Sequence, residues 1–283
     1  MITLAQPNTN KINTMNVTQL TAEIFNKKNY LCVGLDTDIK KLPAHFSQTK
    51  KSVIDFNKAI IDATKEHCVS YKINTAFYEA MGTEGWDIMQ ETVAYIGASH
   101  FIIADAKRGD IGNTSAQYAK TFFETYNFDA VTVAPYMGED SVRPFLEYKD
   151  KTTIVLGLTS NIGAADFELQ KLASGEYVYE RVLQTVSQWG TENNLMFVVG
   201  ATQAEELDRI RKIIPQHFLL VPGVGAQGGS LKEVSEFGMN DKVGLLVNVS
   251  RAVLYASSGE DFAEAAALSA QQYHEEMRLL MEG

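Results

Sequence analysis

Eight short apolar runs alternate with helical patterns along the chain, and no other feature limits its possible folds as strongly. The runs are almost continuously apolar, as parallel strands buried on both faces require. The predicted strands are Leu31–Leu35, Val69–Ile73, Phe101–Ala104, Ala130–Val133, Thr153–Leu156, Met196–Val199, Phe218–Val221 and Gly244–Val247.

Amphipathic stripes with helical spacing fill the intervals between these runs. One stripe predicts a helix over Ser52–Glu66 and places Val53, Phe56 and Ile60 on one face. Another predicts a helix over Glu205–Ile214. Eight strand-then-helix units predict an α/β fold, the (β/α)8 TIM barrel, and an open doubly wound sheet is the alternative.

The 283 residues contain no Pro/Gly-rich linker and no change of composition, so we expect a single domain. The polar residues 1–15 read as a flexible N-terminal extension, and residues 16–283 as the barrel and catalytic domain. A formal charge of −10 argues against a nucleic-acid partner, because no basic stripe is left to neutralise phosphates.

The chain has no apolar run of membrane-spanning length and no signal-peptide pattern at its start, so we expect no membrane partner. Cys32 and Cys68 have no metal-ligand spacing and read as buried, unpaired thiols, which fit a reducing cytoplasm. The five histidines are scattered, and we therefore expect no dedicated metal site.

Polar and ionisable residues follow the carboxyl ends of most predicted strands, where barrel enzymes carry their functional groups. Lys72 lies inside an apolar run, and an unpaired buried ammonium is costly. In a barrel, Asp36 and Asp105 from the flanking strands are within reach of it. Lys107 shares strand parity with Asp105, whereas Arg108 has the opposite parity and is expected to point elsewhere.

The stretch Pro222–Gly229 contains a literal GxGxxG, which invites a dinucleotide-binding interpretation. Its late position and the absence of an acidic ribose ligand after the next strand argue against that interpretation. In a barrel, the loops after strands 7 and 8 commonly bind a phosphate group. Backbone amides of the glycines, with Gln227 and Arg251, would supply such a site.

Lys107 is the best candidate for a proton donor, because carboxylates on both sides favour its charged form. Asp105, held against a substrate carboxylate, would repel it until CO2 leaves. Schiff-base chemistry, which barrel aldolases perform with a lysine, needs a neutral amine and is disfavoured among these carboxylates.

The stretch DAKRGDIGNT resembles the active-site motif of the orotidine 5′-phosphate decarboxylase family, Asp-x-Lys-x-x-Asp followed by Thr. Further similarity lies in LCVGLDTD, YKIN, LGLTSN, PGVGAQGG and SRAV, in the order found in the longer-chain branch of that family. The resemblance implies cofactor-free and metal-free decarboxylation of orotidine 5′-monophosphate (OMP) to UMP, a step of pyrimidine biosynthesis. It also implies a homodimer with composite sites.

Carried over by position, the resemblance makes Lys107 the proton donor to C6. The catalytic residues it implies are Lys107, Asp105, Lys72 and Asp110. The substrate-binding residues it implies are Asp36 and Asn74 at the ribose, Ser160 and Pro222 at the pyrimidine, and Gln227, Ser250 and Arg251 at the phosphate, with Thr114 reaching the partner's site beside Asp110.

One departure concerns Ser250, where many members of the family have glycine before the phosphate-binding arginine. The long segment 161–184 is expected to contribute to a lid. Two other functions stay open: a Mg²⁺-dependent decarboxylase of a sugar-phosphate keto acid on a related barrel, and a non-catalytic UMP sensor.

Overall fold

In the computed structural model, the described residues are 14–201, 204–225 and 228–283. Eight parallel strands lie within these ranges and alternate with helices. The strands are β1 Leu31–Gly34, β2 Ser70–Asn74, β3 Phe101–Arg108, β4 Ala130–Val133, β5 Thr152–Leu158, β6 Leu195–Val199, β7 Leu219–Pro222 and β8 Leu245–Val249.

The strands form a closed barrel in sequence order, with β8 returning to pair with β1. This topology confirms the predicted (β/α)8 barrel and excludes the open doubly wound sheet. Most strand residues are buried, as expected for strands covered by side chains inside the barrel and by helices outside it.

The helices of the described ranges follow the strands around the barrel. They are α1 Val17–Lys27, α2 Lys50–Thr64, α3 Thr75–Glu79, α4 Thr83–Ile96, α5 Gly112–Lys120, α6 Glu139–Leu146, α7 Val178–Val186, α8 Ala204–Ile213, α9 Leu231–Gly238, α10 Arg251–Leu254 and α11 Phe262–Glu282. None of the described helices is long and apolar enough to cross a membrane.

In helix α2, the predicted apolar stripe is buried in the core. Val53, Phe56 and Ile60 are fully buried, and the Thr49 side chain caps the helix by accepting the N–H of Ser52. The predicted helix began two residues too late, and its last residues form a separate 3₁₀ turn. Helix α8 lies within one residue of its predicted bounds.

Met15, which the sequence assigned to the flexible extension, is instead buried. Its backbone N–H donates to Asp129 Oδ1 at 3.0 Å, directly before the start of β4. The N-terminal extension stays a prediction. Residues 1–13 lie outside the described residues.

Candidate active site

A cavity of about 310 Å³ opens at the carboxyl end of the barrel. Its lining comes from strand ends and the loops that follow them, where barrel enzymes carry out their chemistry. The predicted site residues that line it are Asp36, Lys72, Asn74, Asp105, Lys107, Ser160, Pro222, Ser250 and Arg251. Asp110 and Thr114 are not among the described residues of the lining, and Gln227 lies outside the described residues.

Lys72 is the buried centre of a charged network. Its Nζ lies 3.3 Å from Asp36 Oδ1 and 3.0 Å from Asp105 Oδ2. The other oxygen of Asp105, Oδ1, lies 2.6 Å from Lys107 Nζ. The side chain of Lys72 is only 4% exposed, whereas that of Lys107 is 51% exposed. Two lysines therefore share one carboxylate, and Lys107 is the more exposed of the two.

The network holds Lys72 and Asp105 in their charged forms. Burial by itself would lower the pKa of the Lys72 ammonium, but the charges of Asp105 and Asp36 outweigh burial and raise that pKa above its ordinary value. Burial would likewise raise the pKa of Asp105, but Lys72 and Lys107 outweigh it and hold the pKa well below its usual range. A neutral, Schiff-base-forming amine is thus disfavoured at Lys72.

Strand β3 leaves its regular ladder where it delivers these side chains. Ala104 pairs with Val131 and Arg108 pairs with Val133, so three β3 residues face a single residue of β4. Such a bulge re-aims side chains at strand ends. Within it, Lys107 has a φ of 48°, a left-handed conformation that is uncommon for residues other than glycine. The local backbone is therefore shaped to present Lys107.

Arg108 points away from this network, as its parity predicted. Its guanidinium forms an ion pair with Glu79 on α3 and donates to the Ala106 carbonyl at 2.9 Å. Asp105 and Lys107 line the cavity together. Within the DAKR stretch, Asp105 and Lys107 thus face the cavity, whereas Arg108 contacts the surrounding helices.

The loop after β1 holds Asp36 through its backbone. The Tyr78 hydroxyl donates to the Leu35 carbonyl at 2.9 Å, and the Tyr255 hydroxyl lies 3.4 Å from the Asp36 carbonyl. Asn74 ends β2, and its side-chain oxygen caps α3 by accepting a backbone N–H at 3.3 Å. Hydrogen bonds thus hold the loop at Asp36 and the start of α3 at Asn74, close to Lys72.

The predicted phosphate loop begins directly after β7. Gly223, Gly225 and Gly228 have φ values of 100°, 73° and 88°, in the region that glycine adopts without strain. Pro222 and Gly223 line the cavity.

Ser250 and Arg251 follow β8 on the same side of the cavity. Ser250 takes the N-cap position of α10, and its buried Oγ has no hydrogen-bond partner among the described residues. A Cβ on Gly34 would lie 2.8 Å from Ser250 Cβ and 3.0 Å from Asn248 Oδ1. Glycine at position 34 therefore allows β1 to approach the end of β8 closely.

The loop after β5 carries Ser160 and is fixed by a carboxylate. Glu168 accepts the Thr159 backbone N–H at 2.6 Å and the Thr159 hydroxyl at 2.8 Å. The segment 161–184 continues as a 3₁₀ turn, Ile162–Asp166, and reaches α7 at Val178. Its predicted contribution to a lid stays a prediction.

Comparison with known proteins agrees with this geometry. Residues 29–266 match the family model described as "Orotidine 5′-phosphate decarboxylase / HUMPS family". The chain belongs to the orotidine 5′-phosphate decarboxylase family. It is 56% identical over 270 residues to the orotidine 5′-phosphate decarboxylase of Phocaeicola vulgatus, covering 94% of this chain and 99% of that protein.

Other members of the family extend the likeness. The orotidine 5′-phosphate decarboxylase of Flavobacterium johnsoniae is 57% identical over 266 residues, covering 93% of this chain and 97% of that protein. The solved structure of Leishmania donovani OMP decarboxylase superposes with a TM-score of 0.83 at 35% identity, covering 95% of this chain and all of that one. The barrel is thus the fold of solved decarboxylases of this family.

Two polar residues at the site escaped the sequence interpretation, one bonded to Asp105 and one lining the cavity. Thr132 of β4 is fully buried and bonded to the Asp105 carboxylate. Asn248 of β8 lines the cavity, and its buried Oδ1 has no hydrogen-bond partner among the described residues. Each is a polar residue inside an otherwise apolar run, and a buried polar group needs a partner. For Asn248, a residue type that is uncommon in strands, that mismatch was a signal in the sequence, whereas a threonine such as Thr132 is common in strands.

Proposed function

We propose that Lys107 is the proton donor in the decarboxylation of OMP to UMP, the reaction that assigns this chain to pyrimidine biosynthesis. The observation that carries the proposal is the continuous Asp36–Lys72–Asp105–Lys107 network at the cavity wall. The bond between C6 and the carboxylate breaks, CO2 leaves, and the electron pair stays at C6. Lys107 Nζ then donates a proton to C6, and the resulting neutral amine is reprotonated by solvent.

Asp105 has a supporting role in this scheme. Two unit charges about 4 Å apart at an effective dielectric near 20 repel by roughly 4 kcal/mol. Relief of such repulsion when CO2 leaves accounts for about three decades of rate at most. The larger contribution comes from the Lys107 ammonium, which stabilises the carbanion as charge develops, and from binding energy at the remote phosphate.

The remaining site residues bind the nucleotide. Asp36 and Asn74 face the ribose hydroxyls, while Ser160 and Pro222 contact the pyrimidine. We assign the phosphate to Gln227, Ser250 and Arg251. Arg251 supports this assignment because it lines the cavity directly after β8 and offers a charge-assisted, bidentate clamp.

A homodimer with shared sites is part of the proposal. Asp110 and Thr114 would complete the site of a partner subunit, since neither is among the described residues lining the cavity of its own chain. Large apolar side chains near them are exposed: Ile111 by 62%, Tyr136 by 90% and Met137 by 44%. Exposed apolar residues in one region favour a protein interface there.

A cytoplasmic location is also part of the proposal. Cys32 and Cys68 are both free and buried in the described barrel, as is usual for a protein of a reducing compartment.

The test of this function is OMP turnover in excess EDTA, followed by loss of the ultraviolet absorbance of OMP. We expect full activity, because the proposed chemistry uses only side chains of the protein. Activity that returns only on addition of Mg²⁺ would favour the sugar-phosphate decarboxylase alternative. UMP binding without any turnover would favour the sensor.

A further inference from the structure

The irregular part of β3 faces a single residue of the neighbouring strand. Between the paired positions Ala104–Val131 and Arg108–Val133, β4 contributes only Thr132. A bulge leaves backbone groups without their usual ladder partners. Some other group must therefore hold the backbone that carries Asp105 and Lys107.

The Thr132 hydroxyl bonds to both of these residues. Its Oγ1 donates to Asp105 Oδ1 at 3.0 Å and accepts the backbone N–H of Lys107 at 2.9 Å. Thr132 is fully buried, and a β-branched side chain has few χ1 rotamers available in a strand. One rigid hydroxyl thus connects the shared carboxylate to the backbone of the presented lysine.

We propose that Thr132 is a positioning residue for decarboxylation, which fixes the Asp105 carboxylate and the Lys107 backbone in one geometry. Asp105 Oδ1 also accepts from Lys107 Nζ at 2.6 Å, so the hydroxyl and the ammonium share the same oxygen. Together these contacts close a ring through Thr132, Asp105 and Lys107. This inference rests on the proposed role of Lys107 and concerns its geometry.

The unusual backbone of Lys107 explains why such a restraint is needed. A left-handed conformation is disfavoured in a residue with a Cβ, and surrounding contacts must maintain it. If the hydroxyl is removed, the Lys107 N–H loses its acceptor and Asp105 loses one of its donors. The lysine then samples other positions, and a misplacement of about 1 Å can cost roughly a hundredfold in rate.

The test compares Thr132→Val, which keeps the shape and removes the hydroxyl, with Thr132→Ser, which keeps the hydroxyl. We expect Thr132→Val to lower kcat at least tenfold while KM for OMP changes less than threefold, because the ribose and phosphate contacts lie elsewhere. Thr132→Ser should recover most of kcat. A merely structural role would not produce this split between kcat and KM.

Thr153→Val is a matched control. Thr153 lies on the adjacent β5, is 1% exposed, and its Oγ1 has no hydrogen-bond partner among the described residues. Its replacement should leave kcat unchanged. A smaller than tenfold loss in Thr132→Val, or no recovery in Thr132→Ser, overturns the proposal.

Amide hydrogen exchange at Lys107 provides a second readout that needs no turnover. Exchange should be faster in Thr132→Val than in the wild-type chain or in Thr132→Ser, because the N–H has lost its acceptor. Unchanged protection would contradict the role of Thr132 by itself. Absence of turnover in the wild-type chain would instead contradict the proposed function, so the two failures are distinguishable.

Discussion

Asp105 is the residue on which the charged network depends. Its carboxylate accepts hydrogen bonds from side chains of three successive strands: Lys72 on β2, Lys107 on β3 and Thr132 on β4. A carboxylate with several donors is stabilised in its ionised form. The same contacts that prepare the site therefore also contribute to the stability of the fold.

Replacement of Asp105 by Asn should destabilise the barrel by about 3 kcal/mol at neutral pH, since Lys72 keeps only one carboxylate partner in a buried position. The pKa of Asp105 is depressed in the folded chain, so its contribution is present above the ordinary value of 3.8. That contribution is lost as the pH falls towards the depressed pKa. Urea unfolding of both proteins from pH 7 to pH 3 should show a constant difference that narrows only below about pH 4.

A difference that narrows between pH 7 and pH 5 would mean that the pKa of Asp105 is raised rather than lowered. Such a result would contradict the description of the network. Equal stability of the two proteins at pH 7 would contradict it as well.

At the scale of strands and helices, the apolar runs of the sequence predicted every strand of the barrel but misplaced the ends of several of them. Strand β3 was predicted to stop at Ala104 and continues to Arg108, and β5 was predicted to stop at Leu156 and continues to Leu158. Both extensions pass through irregular registers. Apolar runs report burial, whereas polar residues in β3 and Gly157 in β5 interrupt the apolar run before the strand ends.

The cavity residues were predicted in a similar, partial way. Charged residues such as Asp36 and Lys72 stand out in a sequence because their burial demands a partner. Thr132 does not stand out, since threonine is common in strands and its hydrogen bonds depend on a bulge in the neighbouring strand. Side-chain contacts between strands depend on the tertiary structure and cannot be read from a single sequence.

The close approach of β1 to the end of β8 gives a prediction for Gly34→Ala. The added Cβ would collide with Ser250, and such overpacking typically costs about 1–3 kcal/mol. We expect lower stability in urea and a higher KM for OMP, because Ser250 and Arg251 must shift together. In a Ser250→Gly background, Gly34→Ala should cost less stability and raise the KM for OMP less than it does in the wild-type chain. If Gly34→Ala matches the wild type, or if the second change restores nothing, the two strands do not depend on this contact.

For the whole molecule, barrel closure brings distant residues to one place. Asp36 after β1 and Arg251 after β8 line the same cavity although 215 positions separate their numbers in the sequence, 251 − 36. Asp110 and Thr114 lie in the loop and helix after β3, outside the described lining. In the proposed homodimer, a complete site would therefore be built from two subunits.

Mixed dimers test this central claim most directly. Subunits carrying Lys107→Ala and subunits carrying Asp110→Ala should each be inactive alone, since every site lacks one catalytic group. In a heterodimer, one of the two sites joins an intact Lys107 to an intact Asp110. Random mixing makes about half of the dimers heterodimers, so about a quarter of the wild-type sites should be restored.

The control mixes Lys107→Ala with Asp105→Ala, two changes placed in the site of the same subunit, and this mixture should stay as inactive as its parents. The measurement is OMP turnover after exchange of subunits, with heterodimers verified by native mass spectrometry. We predict recovery to about a quarter of wild-type activity for the first mixture only. No recovery despite verified heterodimers, or wild-type turnover by Lys107→Ala alone, would contradict the account.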